Sequence, residues 1–205
     1  MKIIGLTGPI GSGKTSVGRI LESRGYRYFS LSEQLVAQWT VENPGKEITR
    51  KDKQDIGDRL RREHGVGYWA AQTADAIEET LKTEGDSDVV VDAIFNPGEI
   101  DELRKRFPSI SIIGVNAGWE TREERVVSRA KKSDPTTDVR KLREALRRDM
   151  GINQPLEGQQ VGMCLEMAND TIDNNTNLER DLESKLDSTL IRLGLEGVND
   201  FAARK

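Results

Sequence analysis

Residues 8–15 read GPIGSGKT, and this stretch is the most informative part of the chain. It matches the pattern G-x-x-x-x-G-K-[ST] at every fixed position. A short β-branched run at 2–7 precedes it, and apolar residues at helical spacing follow it over 13–23. A strand, this loop and a helix in that order form the context that the pattern requires. We therefore predict a loop that wraps around the phosphates of a nucleotide.

Each part of this loop has a chemical task in the prediction. Glycines let backbone N–H groups turn towards phosphate oxygens, and the N-terminus of the following helix adds its positive end. Lys14 reaches the β- and γ-phosphates, and the Thr15 hydroxyl ligates magnesium. The predicted cofactors are ATP and Mg²⁺, and the loop residues predicted to hold them are Gly8, Gly11, Ser12, Gly13, Lys14, Thr15 and Ser16.

Asp92 is the predicted acidic partner of the loop. It directly follows three valines at 89–91, which are typical of a buried parallel strand. In sites of this kind an acid at the end of a neighbouring strand lies near the magnesium ion. We therefore predict that Asp92 is a catalytic residue and a metal ligand. Two alternatives stay open: it orients the acceptor as a general base, or it is a strand-end cap or surface acid.

Strands and helices alternate along the predicted chain, which implies a parallel sheet with helices on both faces. The predicted strands are 2–7, 26–30, 89–92, 109–115 and 171–173. We predict an α/β, three-layer P-loop NTPase fold with a five-stranded parallel sheet and a helical lid. One domain spans 1–193 in this prediction, with acceptor-covering helices at about 32–83, a lid at about 120–165 and a loose tail at 194–205. The Gln- and Gly-rich stretch 151–162 is predicted to be a mobile loop.

The composition narrows the classes of partner. A net charge of −4 and a pI near 5.3 argue against a general nucleic-acid surface, which needs a basic excess. Cys164 is the single cysteine of the sequence, so an internal disulfide is excluded and a reducing compartment is expected. No apolar run approaches the length of a membrane span. We expect a cytoplasmic protein that binds neither nucleic acid nor membranes.

Arginines in two predicted helices are candidate phosphate ligands. Arg125 and Arg129 lie four residues apart and so share a helix face, and guanidinium groups stabilise the charge of a transferring phosphoryl group. We predict that both bind the nucleotide and that Arg129 is catalytic; neighbouring glutamates that pair with them are the alternative. Arg50 and Arg59 are predicted to hold the acceptor, with pairing to nearby acids as an equal alternative. Arg61 is predicted to lie on a solvated helix face.

With these motifs in place, the chain resembles the nucleoside-monophosphate-kinase group. Residues 5–14 (GLTGPIGSGK) are most similar to dephospho-coenzyme A kinases, and so is the run 168–175 (ANDTIDNN), where the adenine ring lies in that family. This resemblance implies that Asn174 contacts the nucleotide. The run from Arg125 to Arg129 resembles the R-x-x-x-R that opens the lid of adenylate kinases, whose first arginine stacks on the base and whose second holds phosphates.

A closer resemblance covers nearly the whole chain. It is to the N-terminal P-loop domain that is fused to some deoxycytidylate deaminases, and the segments that carry it occur in the right order at 28–32, 48–50, 57–61, 96–100 and 158–162. The zinc deaminase half is absent, because His64 and Cys164 are the only histidine and cysteine and cannot build its metal site. This resemblance implies a homodimer or a deaminase-type partner.

The chain also departs from these families on the acceptor side. Adenylate kinases place an arginine where this chain has Val36, and a second arginine usually follows the acid of the middle strand, where this chain has Phe95 and Asn96. Dephospho-coenzyme A kinases use an acid after the second strand as a base; Glu33 lies near that position and is the predicted substrate-binding acid, but their D-x-D is missing.

Two hypotheses follow from the sequence. The first is an ATP-dependent kinase that transfers the γ-phosphoryl group to a nucleotide-like acceptor, either dephospho-coenzyme A or a (deoxy)nucleoside monophosphate. The second is a nucleotide-sensing module without kinase turnover, which the missing acceptor arginines and the likeness to the deaminase-fused domain favour.

Overall fold

A five-stranded, all-parallel sheet forms the centre of the computed structural model, which describes residues 1–129 and 139–196. The strands are β1 (Ile3–Thr7), β2 (Arg27–Ser30), β3 (Val89–Ile94), β4 (Ser111–Asn116) and β5 (Asp170–Asp173). Their order across the sheet is β2-β3-β1-β4-β5. Because β1 is the middle strand and β3 its direct neighbour, the loop after β1 and the acid at the end of β3 meet at the same edge.

Helices cover both faces of this sheet. They are α1 (Lys14–Ser23), α2 (Leu31–Glu42), α3 (Arg50–His64), α4 (Tyr68–Glu84), α5 (Pro97–Arg106), α6 (Trp119–Arg129), α7 (Val139–Asp149), α8 (Val161–Glu166) and α9 (Glu179–Arg192). Apolar residues of α1 and α9 pack on one face, and those of α2, α3, α4, α5 and α8 pack on the other. The predicted three-layer P-loop NTPase fold is thus confirmed. Among the described residues, no helix combines the length and the apolar character needed to cross a bilayer.

The segment between α7 and α8 is irregular, as predicted, but hydrogen bonds hold it in place. Asn96 Nδ2 donates to the carbonyl oxygens of Leu156 and Gly158 at 2.8 and 2.9 Å. The Gln160 N–H donates to the carbonyl oxygen of Phe95 at 2.7 Å. Asn96 therefore ties this segment to the start of α5.

The C-terminal end differs from the predicted loose tail over its first three residues. The side chain of Leu195 packs against the cluster formed by α1 and α9, and the Leu195 N–H donates to the carbonyl oxygen of Leu190 at 2.9 Å. Glu196 is buried. The remaining predicted tail, 197–205, lies outside the described residues.

A buried ion pair joins α3 to α5. Arg61, predicted to lie on a solvated face, is only 3% exposed, so that prediction is wrong. Its Nη2 lies 2.8 Å from Glu99 Oε1, and its Nη1 lies 3.4 Å from Asp58 Oδ1. Glu99 also accepts hydrogen bonds from the N–H groups of Phe95 and Asn96. One carboxylate therefore neutralises a buried cation and caps the first turn of α5.

We expect Glu99→Gln to destabilise the protein by about 3–5 kcal/mol, because it leaves Arg61 as a buried cation without its main counter-charge. The measurement is the free energy of unfolding from urea titrations. Glu63→Gln is the matched control, since the exposed pair of Glu63 and Arg59 contributes at most about 1 kcal/mol. Equal losses in the two variants would contradict the assignment.

Candidate nucleotide and acceptor site

The loop between β1 and α1 has the backbone shape that the motif predicts. Gly8 and Gly13 have φ angles of 155° and 96°, and residues with a Cβ atom rarely adopt such positive values. A Cβ atom at Gly8 would lie 2.1 Å from the carbonyl oxygen of Val115, and one at Gly13 would lie 2.3 Å from Asn174 Nδ2. The fixed glycines of the motif are thus required by packing behind the loop as well as by its turns.

A β-bulge sets the position of Asp92. Between β1 and β3 the register moves from Gly5 opposite Val91 to Thr7 opposite Ile94, so β3 contains one extra residue. Ala93 takes the left-handed conformation at this point, with a φ of 67°. Its N–H donates to Asp92 Oδ1 at 2.6 Å. The bulge therefore lies inside β3, one residue before the strand ends, and it holds the Asp92 carboxylate in place.

The Asp92 carboxylate lies against two functional residues of the loop. Its Oδ1 is 3.2 Å from Lys14 Nζ, and its Oδ2 accepts a hydrogen bond of 3.1 Å from the Thr15 hydroxyl. The Tyr28 hydroxyl donates to the same Oδ2 at 2.6 Å. Burial alone would raise the pKa of Asp92, but the charge of Lys14 and the hydrogen bonds from Tyr28 and Ala93 outweigh it and lower the pKa. Asp92 is therefore ionised at neutral pH.

The donor set at this point suits magnesium. Thr15 and Asp92 supply hard oxygen atoms, which Mg²⁺ prefers, and one or two protein oxygens are usual where phosphates and water complete the coordination. Among the described residues there is no group of three or more His, Cys, Asp and Glu that can hold a metal ion. The residues present thus fit a magnesium ion that depends on the nucleotide, rather than a separate metal centre.

Arg125 and Asn174 lie behind the loop. Asn174 Nδ2 donates to the carbonyl oxygen of Ser12 at 2.8 Å. Arg125 Nη1 donates to the carbonyl oxygen of Gly11 at 3.1 Å, and its Nη2 donates to that of Thr176 at 2.5 Å. The structure therefore brings both predicted residues to the nucleotide loop. The side chain of Arg129, predicted to be catalytic, lies outside the described part of the chain.

Asp149, at the end of α7, is a site residue that the sequence analysis missed. It is fully buried, and its Oδ2 accepts a hydrogen bond of 2.7 Å from the Ile10 N–H. Burial raises its pKa, and the Ile10 N–H and the charges of Arg50, Lys14 and Arg122 oppose that rise. The sequence did contain a signal for Asp149. An acid at the C-terminus of a helix interacts unfavourably with the helix dipole, so its presence there indicates another role.

A cavity of about 710 Å³ extends from the loop and Asp92 towards α2, α3 and α4. Its lining includes Arg50 and Lys53 at the start of α3, so one side of the acceptor region is cationic. Of the predicted acceptor residues, Arg50 lines this cavity, whereas Glu33 and Arg59 do not. Glu33 is exposed to solvent. Arg59 pairs instead with Glu42 and Glu63.

Two glutamines on the cavity wall were also missed. Gln54 Nε2 donates to Gln159 Oε1 at 2.8 Å, and both side chains are buried and line the cavity. No local pattern indicated this pair, because its members lie 105 residues apart in sequence. Their contact forms only when the segment before α8 folds against α3.

Comparison with known proteins places this architecture in a family. The family model AAA_18, described as an AAA domain, matches residues 4–145. The chain is 31% identical over 137 residues to a UPF0200 protein of Thermococcus kodakarensis, a match that covers 66% of this chain and 72% of the relative. It belongs to the AAA domain family AAA_18 and to the UPF0200 proteins. A UPF0200 protein of Methanoculleus marisnigri is 28% identical over 194 residues, which are 95% of this chain and 98% of that relative.

Solved structures share the fold of this UPF0200 protein. A shikimate kinase from Bacteroides thetaiotaomicron superposes with a TM-score of 0.57 at 14% identity, covering 95% of this chain and 99% of that one. A gluconokinase from Sinorhizobium meliloti gives a TM-score of 0.52 at 17% identity, with coverage of 94% and 93%. The fold is thus that of P-loop kinases. The resemblances to dephospho-coenzyme A kinases and to the deaminase-fused domain stay predictions.

We expect Lys14→Ala to weaken ATP binding strongly, because it removes the cation that lies beside Asp92 and faces the phosphates. The measurement is calorimetric titration of the purified protein with ATP and magnesium. Lys51→Ala is the matched control, since Lys51 is exposed on α3 and pairs only locally with Asp55. Unchanged affinity in Lys14→Ala would show that the loop is not the nucleotide site.

We expect Asp92 to make stability depend on acid pH. Because its folded pKa is lowered, its ionised form contributes stability above its unfolded pKa of about 3.9. That contribution is lost as the pH falls through the folded pKa. The free energy of unfolding of the wild type and of Asp92→Asn, measured between about pH 2.5 and 7, should therefore converge below about pH 4. A difference that stays constant with pH would contradict this assignment.

Proposed function

We propose that this UPF0200 protein is an ATP-dependent kinase that transfers the γ-phosphoryl group to a nucleotide-like acceptor. The observation that carries this proposal is the contact of the buried Asp92 carboxylate with both Lys14 and Thr15, at the floor of a cavity that continues to a cationic acceptor side. A protein that only binds a nucleotide does not need a cavity that continues beyond the loop to a second, cationic region.

The residues have distinct tasks in this reaction. Lys14 neutralises charge on the β- and γ-phosphates, and Thr15 and Asp92 hold the magnesium ion, which supplies further neutralisation when bound. Arg50 and Lys53 draw an anionic acceptor into the cavity. An acceptor oxygen bonds to the γ-phosphorus as the bond to the β–γ bridging oxygen breaks, and ADP leaves. Catalysis in this scheme comes from positioning and from charge neutralisation.

The geometry favours an acceptor phosphate over an acceptor hydroxyl. Transfer to a hydroxyl is assisted by a base, but both oxygens of Asp92 already contact Lys14, Thr15 and Tyr28. Glu33, the other predicted acid, is exposed and does not line the cavity. A phosphate oxygen is already ionised and needs no base. Within the two predicted acceptor classes, these observations support a (deoxy)nucleoside monophosphate over dephospho-coenzyme A.

The sensing module is the second candidate, and one observation favours it. Arginines near the acceptor region already pair with carboxylates: Arg61 with Glu99, and Arg148 with both Asp55 and Asp58. A sensor of this kind binds the nucleotide and signals to a second copy of itself or to a deaminase-type partner. Both functions use cytoplasmic ATP, so a cytoplasmic location is part of the proposal.

We expect one acceptor or a small group of acceptors to gain a phosphoryl group in a mass-spectrometric screen. The screen contains the purified protein, MgATP, ribo- and deoxynucleoside monophosphates and dephospho-coenzyme A. Lys14→Ala is the control for a contaminating kinase, because it should abolish the product. If no acceptor is phosphorylated while ATP still raises the melting temperature, the kinase proposal is rejected in favour of the sensor.

A further inference from the structure

A pair of carboxamides forms a polar edge on the acceptor side of the cavity. Gln54 comes from α3 and Gln159 from the segment before α8, and the two are 4% and 6% exposed. They are joined by the single hydrogen bond from Gln54 Nε2 to Gln159 Oε1. Two elements that are distant in sequence thus place a pair of uncharged polar groups side by side on the cavity wall.

This hydrogen bond uses only part of the capacity of the two amides. An amide group has two N–H donors and an oxygen with two lone pairs. In the described part of the chain, these two side chains make the hydrogen bond from Gln54 Nε2 to Gln159 Oε1. Gln54 Oε1 and Gln159 Nε2 are not among the polar atoms sealed from solvent without a partner, and both residues line the cavity. The remaining amide oxygen and amide N–H are therefore accessible from the cavity, where they can pair with a ligand that presents a donor and an acceptor side by side.

The rest of the cavity wall narrows the shape of that ligand. Leu31, Leu35, Trp69 and Phe95 give it an apolar and partly aromatic lining, which suits a flat ring. Arg50 and Lys53 line the same cavity and suit an anionic group. A sugar acid, which is covered with hydroxyl groups, would leave this apolar lining without a matching surface.

We infer that Gln54 and Gln159 bind the hydrogen-bonding edge of a nucleobase, and that the acceptor is a nucleoside monophosphate. Glutamine amides pair with base edges that present adjacent donors and acceptors, and aromatic and apolar side chains cover base faces. Phosphate transfer to this ligand rests on the proposed function, but its recognition by the two glutamines does not.

The test compares the binding of ligands with and without a base. Calorimetric titration of the full chain with each ribo- and deoxynucleoside monophosphate, and with ribose 5-phosphate, should show at least one nucleotide binding about 5- to 150-fold more tightly than the base-free phosphate. In the double variant Gln54→Leu/Gln159→Leu that preference should disappear. Removing both partners avoids leaving one buried amide unpaired.

A second variant and a matched control separate recognition from folding. Gln159→Glu still accepts a hydrogen bond from Gln54 but has lost its donor, so we expect it to lose the preference for nucleotides while its affinity for ATP is retained. Gln38→Leu changes a half-buried glutamine on α2 that lies outside the cavity lining and bonds to Glu42, and it should bind as the wild type does.

Each outcome tests the inference apart from the kinase proposal. A wild type that binds ribose 5-phosphate as tightly as every nucleotide, or variants that keep the preference, would overturn the inference. Nucleotide preference that depends on both glutamines, without phosphoryl transfer in the acceptor screen, would support the inference and reject the kinase. Phosphorylation of an acceptor that lacks a base would support a kinase and overturn the inference.

Discussion

The contact between the buried carboxylate of Asp92 and Lys14 is the interaction on which the site depends. Removing these charges from water is costly, and the cost is offset because Asp92 also accepts hydrogen bonds from Thr15, Tyr28 and Ala93. These partners come from α1, β2 and the bulge of β3. The contact can therefore form only when β3 lies between β2 and β1, which is the order that the sheet has.

On the acceptor side of the cavity, many charged residues form ion pairs between helices. Arg61 of α3 pairs with Glu99 of α5, and Arg148 of α7 pairs with Asp58 of α3. These ion pairs position α3, and with it Arg50 and Gln54, against the cavity. In our proposal, recognition of the acceptor depends on a few cations and on uncharged amides on an apolar wall, a combination that distinguishes ligands by shape and hydrogen bonding.

Local patterns in the sequence were sufficient for the fold and for the nucleotide loop. The motif, the valines before Asp92 and the alternation of strands and helices each depend on neighbouring residues, and the structure has them all. The acceptor side was harder because α3 has only two large apolar residues, Ile56 and Leu60, among many charged ones, so spacing alone does not show which arginine is buried. Arg61 is buried because Glu99 reaches it from α5, whereas Arg59 meets Glu42 and Glu63 at the surface. Tertiary contacts of this kind leave no local signal.

The loop after β1 also depends on α6 and α7, which flank it. From α6, Arg125 donates to the carbonyl oxygen of Gly11, and from α7, Asp149 accepts from the Ile10 N–H. The two helices are thus hydrogen-bonded to the loop at a carbonyl oxygen and at an N–H group of neighbouring residues. A shift of either helix therefore changes a hydrogen bond of the segment that is proposed to hold the phosphates. Both proposed functions can use these contacts, so phosphoryl transfer to the ligand on the acceptor side is what distinguishes a kinase from a sensor.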